Sequence, residues 1–109
     1  MKVYLYYYEF NLGYLTYEND LFVWYPKKYQ INKAKEVYSF GMDMFMLPGC
    51  VTSFEKVPHH FKEYLNASDR ADLKKKAGIS DSDTEFEKLY KMSKLEYFNE
   101  EFYIKDSEE

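Results

Sequence analysis

The sequence predicts an α+β fold: a small antiparallel sheet, an N-terminal meander of three to four strands, packed with two to three C-terminal helices. Three observations carry this. Aromatic and aliphatic residues alternate through the first quarter of the chain, the signature of strands. Beyond Pro58, apolar residues recur at three- and four-residue spacing, the signature of helices. The length, 109 residues, suits one domain, read as 1–104 with a frayed acidic tail at 105–109.

In chain order, Val3, Leu5 and Tyr7 alternate with Tyr4, Tyr6 and Tyr8 in a first strand. Residues 9–11 can turn, and a second strand follows over 13–17. Glu18-Asn19-Asp20 is a polar break of hairpin length. A third strand over 21–25 ends at Pro26, which has no amide proton to donate. Residues 27–36 read as a turn and a polar stretch, and 37–42 as a fourth extended piece. Residues 43–57 read as a loop or short strand. Pro58 suits a first helical turn, with Phe61, Tyr64 and Leu65 on one face. Ser68 is a candidate N-cap for a helix to Ala77, and Gly78 a natural residue to end it. Ser82 with Glu85 has the spacing of a capping box, opening a helix with Phe86, Leu89 and Tyr90 on one side. From Glu96 the chain continues that helix or returns as a strand; the strand is favoured.

Composition narrows the function. Fifteen basic against 19 acidic side chains give a net charge of −4, unsuited to direct nucleic-acid binding, which needs a basic face. The 23 aromatics, 13 of them Tyr, outnumber the 17 Ile, Leu and Val residues. So many phenols must lie partly at the surface, and aromatic-rich surfaces favour protein partners. The single cysteine, Cys50, rules out an internal disulfide. No signal-peptide pattern and no membrane-length apolar run is visible, so a cytoplasmic location and no membrane partner are expected.

No catalytic constellation stands out, and no enzyme is expected. His59 and His60 are adjacent, so on a helix they diverge by about 100° and cannot chelate together. Cys50 has no metal-site spacing to them, and the turns around Gly13, Gly41, Gly49 and Gly78 contain neither GxGxxG nor a P-loop. No cofactor, metal or small-molecule substrate is expected. Met42, Met44, Phe45 and Met46 form an apolar cluster that either fills the core or is offered, with Phe54 and Phe61, to a protein partner. Arg70, the only arginine, is a surface ion pair or an interface contact.

The order of motifs resembles the N-terminal subdomain of HipA-type kinases. Gly13-Tyr14-Leu15-Thr16-Tyr17 followed by Phe22-Val23-Trp24-Tyr25-Pro26-Lys27-Lys28-Tyr29 is similar to its opening "G-x-L … F-x-Y-x-x-x-Y". Val57-Pro58-His59-His60-Phe61, Leu65-Asn66, Arg70, Leu73 and the run from Gly78 through Ile79, Ser80, Asp81 and Ser82 to Asp83 resemble its later region. The likeness spans about residues 3 to 90. Tyr38-Ser39-Phe40-Gly41-Met42 replaces the family's Pro-Leu-Ser-x-Ser segment, and Ala67-Ser68-Asp69 its Pro-Glu-Gly. No ATP-binding loop or catalytic Asp of a kinase body fits in the chain. The resemblance therefore implies a stand-alone, HipS-like antitoxin with a small sheet and helices. Such a protein binds and inhibits a separately encoded HipA-like Ser/Thr kinase toxin, alone or together with a HipB-like DNA-binding protein. A rival reading rests on charge. Residues 81–109 carry 4 basic and 10 acidic side chains, or −6, which would suit a phage- or plasmid-borne inhibitor of a nucleic-acid enzyme acting by charge mimicry.

Overall fold

The computed structural model describes residues 1–38, 48–95, 98–99 and 101–108. Three strands open the chain: β1 (Val3–Tyr7), β2 (Phe10–Glu18) and β3 (Leu21–Pro26). Then come α1 (Lys28–Tyr38), β4 (Thr52–Phe54), α2 (His59–Ala67), α3 (Ala71–Ala77), α4 (Glu85–Ser93), β5 (Phe98–Asn99) and β6 (Phe102–Lys105). The strands form one six-stranded sheet in the order β4-β3-β2-β1-β6-β5, antiparallel throughout. The expected α+β class holds, and the expected C-terminal strand is β6, which pairs with β1 in the middle of the sheet.

Strand alternation sorts the sheet's two faces. Val3, Leu5, Tyr7, Leu15, Phe22, Trp24 and Ile104 point to one face and meet the helices. There Ile31 and Ala34 of α1, Phe61, Tyr64 and Ala67 of α2, and Phe86, Leu89 and Met92 of α4 close the core. The other face is a tyrosine ladder. Tyr4, Tyr14 and Tyr25 lie side by side across β1, β2 and β3, with ring centroids 5.5 and 4.9 Å apart. Tyr6 stacks on Tyr103 at 5.2 Å, and the Lys2 and Lys105 ammonium groups lie over these rings. Tyr4 and Tyr6 are buried on this face, each against another tyrosine ring, which is how the fold hides rings from a composition so rich in phenol.

Two irregularities shape the meander. The β1–β2 register shifts between Leu5 and Tyr6, and the Leu12 carbonyl there accepts a hydrogen bond from the Lys27 amide at 2.8 Å. Beside it Gly13 has φ 140°, and a Cβ on it would lie 2.3 Å from the Tyr25 carbonyl oxygen, so no other residue fits.

Several local expectations are corrected. The first turn is Tyr8-Glu9 rather than 9–11, so β2 begins at Phe10. Residues 28–38 are helical, not a polar stretch followed by a strand. Ile31, Ala34 and Tyr38 lie at i, i+3 and i+7, and that stripe packs on the core. The rest of the proposed fourth strand, 39–42, lies outside the described residues; β4, further on, takes its place beside β3. Ser68 does not start a helix but ends α2, its amide accepted by the Tyr64 and Leu65 carbonyls. Helix α3 is preceded instead by Arg70 and ends at left-handed Gly78, φ 72°. The capping box is Thr84 with Glu87, two residues beyond Ser82 and Glu85. The tail also has partners: Lys105 belongs to β6, and Glu108 pairs with Lys27 and accepts from Asn11.

Candidate partner-binding surface

One end of the sheet gathers residues from four elements. The β1–β2 turn presents Tyr8 and Glu9, the last residue of α1 is Tyr38, β6 opens with Phe102, and α2 opens with His59 and His60. Their rings form an unbroken string. Tyr38 stacks on Tyr8 at 4.3 Å, Tyr8 meets Tyr7 at 4.8 Å, and Tyr7 meets Phe102 at 4.7 Å. Phe102 then meets His60 at 5.9 Å, and His60 meets His59 at 5.5 Å. Ring pairs at these separations add stabilisation beyond simple burial. Tyr8, Tyr38, Phe102 and the two histidines are thus held at the surface against Tyr7, which belongs to the core, rather than standing as loose side chains.

Hydrogen bonds fix its polar rim. The Tyr38 hydroxyl donates to the Glu9 carboxylate at 2.5 Å. That donation holds the Glu9 carboxyl below its ordinary range, and the same contact pushes the Tyr38 phenol up to about 12. The Tyr7 hydroxyl donates to Glu101 at 3.4 Å, and the Tyr103 hydroxyl to the Tyr8 carbonyl at 2.6 Å. Burial, the neighbouring Tyr6 and the Glu9 charge all raise the Tyr103 phenol.

At the histidine end the string opens into a cleft of about 290 Å³ lined by His59, His60, Lys62, Glu63, Asn66 and Phe102. The same histidines border a smaller, more apolar pocket of about 100 Å³ with Trp24, Pro48, Phe54, Pro58 and Phe61. Trp24 is 1% exposed and its indole N–H donates to the Pro48 carbonyl at 3.1 Å, which ties the segment before β4 to the sheet. An adjoining cleft and apolar pocket suit the side chains of a docking segment. Among the described residues, no three His, Cys, Asp or Glu side chains converge as a metal site would require, and no helix is long and apolar enough to cross a membrane. Cys50 is exposed, with its sulfur 3.9 Å from the Thr52 hydroxyl.

The residues singled out in the sequence are scattered. Met42, Met44, Phe45 and Met46 lie outside the described residues. Phe54 on β4 is half-buried and lines the smaller pocket. Phe61 lines the same pocket but is a correction as an exposed anchor: it is 1% exposed, packed edge-on against Trp24 at 5.9 Å. On α2 it falls on the stripe with Tyr64, which the core claims. Arg70 is exposed and pairs with Asp72 at 3.2 Å, an interaction worth little in water. Tyr7, Tyr8, Tyr38 and Phe102 were missed. The signal for Tyr8 was present, since an aromatic at a hairpin turn projects from the end of a sheet, whereas Tyr7 is 3% exposed and backs the string from the core.

The acidic C-terminal third does not present bare carboxylates at the positions where its partners are seen. Lys91 donates to Asp83 at 2.6 Å, Lys74 pairs with Asp81, and Lys88 lies 3.9 Å from Asp69 just upstream. These cations hold Asp81 and Asp83 below the ordinary carboxylate range. Glu87 is engaged by the Thr84 amide and Glu108 by Lys27. Asp81, Asp83 and Glu108 thus each stand beside a lysine. The chain matches no protein-family model, no curated protein and no solved structure.

Proposed function

We propose that this chain is a non-catalytic recognition protein of the cytoplasm, a HipS-like antitoxin that binds and inhibits a separately encoded HipA-like Ser/Thr kinase. The observation that carries the reading is positional. The residues of the resemblance fall, in order, on positions that hold a single folded unit together. Gly13 sits at the tight β2–β3 approach, and Trp24 to Pro26 close β3. Pro58 precedes α2, Arg70 precedes α3, and Gly78 ends α3 in the left-handed conformation. A likeness spread over about residues 3 to 90 thus covers β1 to β4, α1 to α3 and most of α4, and leaves out β5 and β6.

The inhibitory mechanism is burial of anchors against the kinase. The ring string, the adjoining cleft and Phe54 supply a firm surface. The segment with Met42, Met44, Phe45 and Met46 supplies apolar side chains that would occupy or distort the nucleotide or substrate cleft. A few such anchors dominate the affinity of an interface, at about 2 kcal/mol or more each.

The test is capture and inhibition of a HipA-like Ser/Thr kinase by this chain. Phe45→Ala should weaken binding by about thirtyfold, the equivalent of about 2 kcal/mol. Arg70→Ala should have a smaller effect. Unchanged affinity in Phe45→Ala would remove that segment from the mechanism, and absence of any complex would remove the kinase.

A further inference from the structure

The β1–β2 turn holds Tyr8 at φ 53°, in the left-handed region. A residue with a Cβ is strained there, and such turn positions normally fall to Gly, Asn or Asp. The same sheet contains the ordinary solution. The β2–β3 turn uses Asn19 and Asp20 at φ 51° and 64°. Tyr8 is therefore not what chain reversal requires, and it is fixed from three sides. Its amide donates to the Glu101 carbonyl at 3.1 Å, its carbonyl accepts from Tyr103, and its ring stacks on Tyr38. Even so the residue remains 40% exposed. Strain held in place by its surroundings, with the side chain turned to solvent, is a pattern of functional positions.

The chemistry around the ring selects a ligand. Glu9 and Glu101, both exposed, stand beside Tyr8, one next in sequence and one bonded to its backbone. Glu9 is kept ionised by the Tyr38 hydroxyl. Stacked phenol faces bordered by carboxylates attract a planar cation, which can lie over a ring while its N–H groups reach a carboxylate. A guanidinium meets both demands, whereas an ammonium is a point charge with a tightly held water shell.

We propose that the Tyr8 turn, with Tyr38, Glu9 and Glu101, is the docking site for an arginine side chain on a segment of a partner protein. This rests on the reading of the chain as a recognition protein, not on the identity of the kinase.

The experiment is an amide-resolved NMR titration of the full chain with the peptide acetyl-Leu-Arg-Arg-Leu-amide and with its Lys and Glu counterparts. The Arg peptide should give saturable shifts at Tyr8, Glu9, Tyr38 and Glu101. The Lys peptide should bind about fivefold more weakly and the Glu peptide should give no saturable shift. Tyr8→Asn keeps a residue suited to the turn and removes the ring. It should weaken the Arg peptide about tenfold with the Tm within about 2 °C of the parent, because relief of strain offsets the lost stacking. Glu9→Gln with Glu101→Gln should weaken it about fivefold. Equal binding of the Glu peptide, undiminished binding by Tyr8→Asn, or a fall in its Tm of more than about 5 °C would overturn the proposal, the last by making the ring a packing group. Peptide binding without kinase capture upholds this site and removes only the kinase; kinase inhibition without peptide binding removes this site alone.

Discussion

Gly13 and Phe61 show how a glycine or an aromatic ring can be required for purely structural reasons. A methyl group at Gly13 would press on the Tyr25 carbonyl and the Trp24 ring, at a φ of 140°. Gly13→Ala should therefore cost more than about 2 kcal/mol, seen as a lower denaturant midpoint with an unchanged m-value. Phe61→Ala should cost about 3–5 kcal/mol by opening a cavity beneath Trp24, so it reports on the core and not on partner binding. The Tyr38–Glu9 contact makes a pH prediction. Tyr38 is raised to about 12 when folded, so its contribution is present below pH 10 and is lost as pH rises from 10 towards 12. Glu9 is lowered, so its contribution is present above the ordinary carboxylate range and is lost as pH falls below that range through the lowered folded value. Phenolate absorbance should show one tyrosine titrating near 12, returning towards 10 in Glu9→Gln. At this scale the sequence led to the third strand, on which Trp24 is a core residue. It could not place Phe61, because helical spacing alone does not say whether a ring on the stripe faces the sheet or a partner.

The elements were legible where local chemistry is strong and obscure where tertiary packing decides. The meander and α2 followed from alternation and from Pro58. Helix α1 did not, because Gln30, Asn32, Lys33, Lys35 and Glu36 make its solvent face so polar that the stripe of Ile31, Ala34 and Tyr38 is easily overlooked. The capping box was misplaced by two residues for a definite reason: Ser82 and Thr84 both stand three residues before a Glu. The structure chooses Thr84, whose hydroxyl accepts the Glu87 amide at 3.2 Å, while Ser82 hydrogen-bonds within the preceding turn to Ser80. Thr84→Ala should cost about 1 kcal/mol and Ser82→Ala less than about 0.5, measured by chemical denaturation. Equal costs would return the cap to Ser82.

For the whole molecule, β6 decides which experiments are meaningful. It pairs with β1, so the last strand of the chain lies beside the first in the middle of the sheet. Deleting the segment after Glu96 to probe its acidity should abolish cooperative unfolding, because Ile104 leaves the core and β1 loses a neighbour. Charge-neutral substitutions at the acidic positions are the cleaner probe. If carboxylates mimicked phosphate, inhibition would fall steeply with added salt; the pairing of Asp81 and Asp83 with lysines predicts little change. The partner surface was the least legible feature at any scale. Its rings come from α1, the β1–β2 turn, β6 and α2, and only the closed sheet brings them together. The most direct test of the account is a titration of a HipA-like Ser/Thr kinase with this chain, reading phosphoryl transfer. The account predicts that activity falls in proportion to the chain added and ends at one chain per kinase. Undiminished phosphoryl transfer at a molar excess of the folded chain would contradict it.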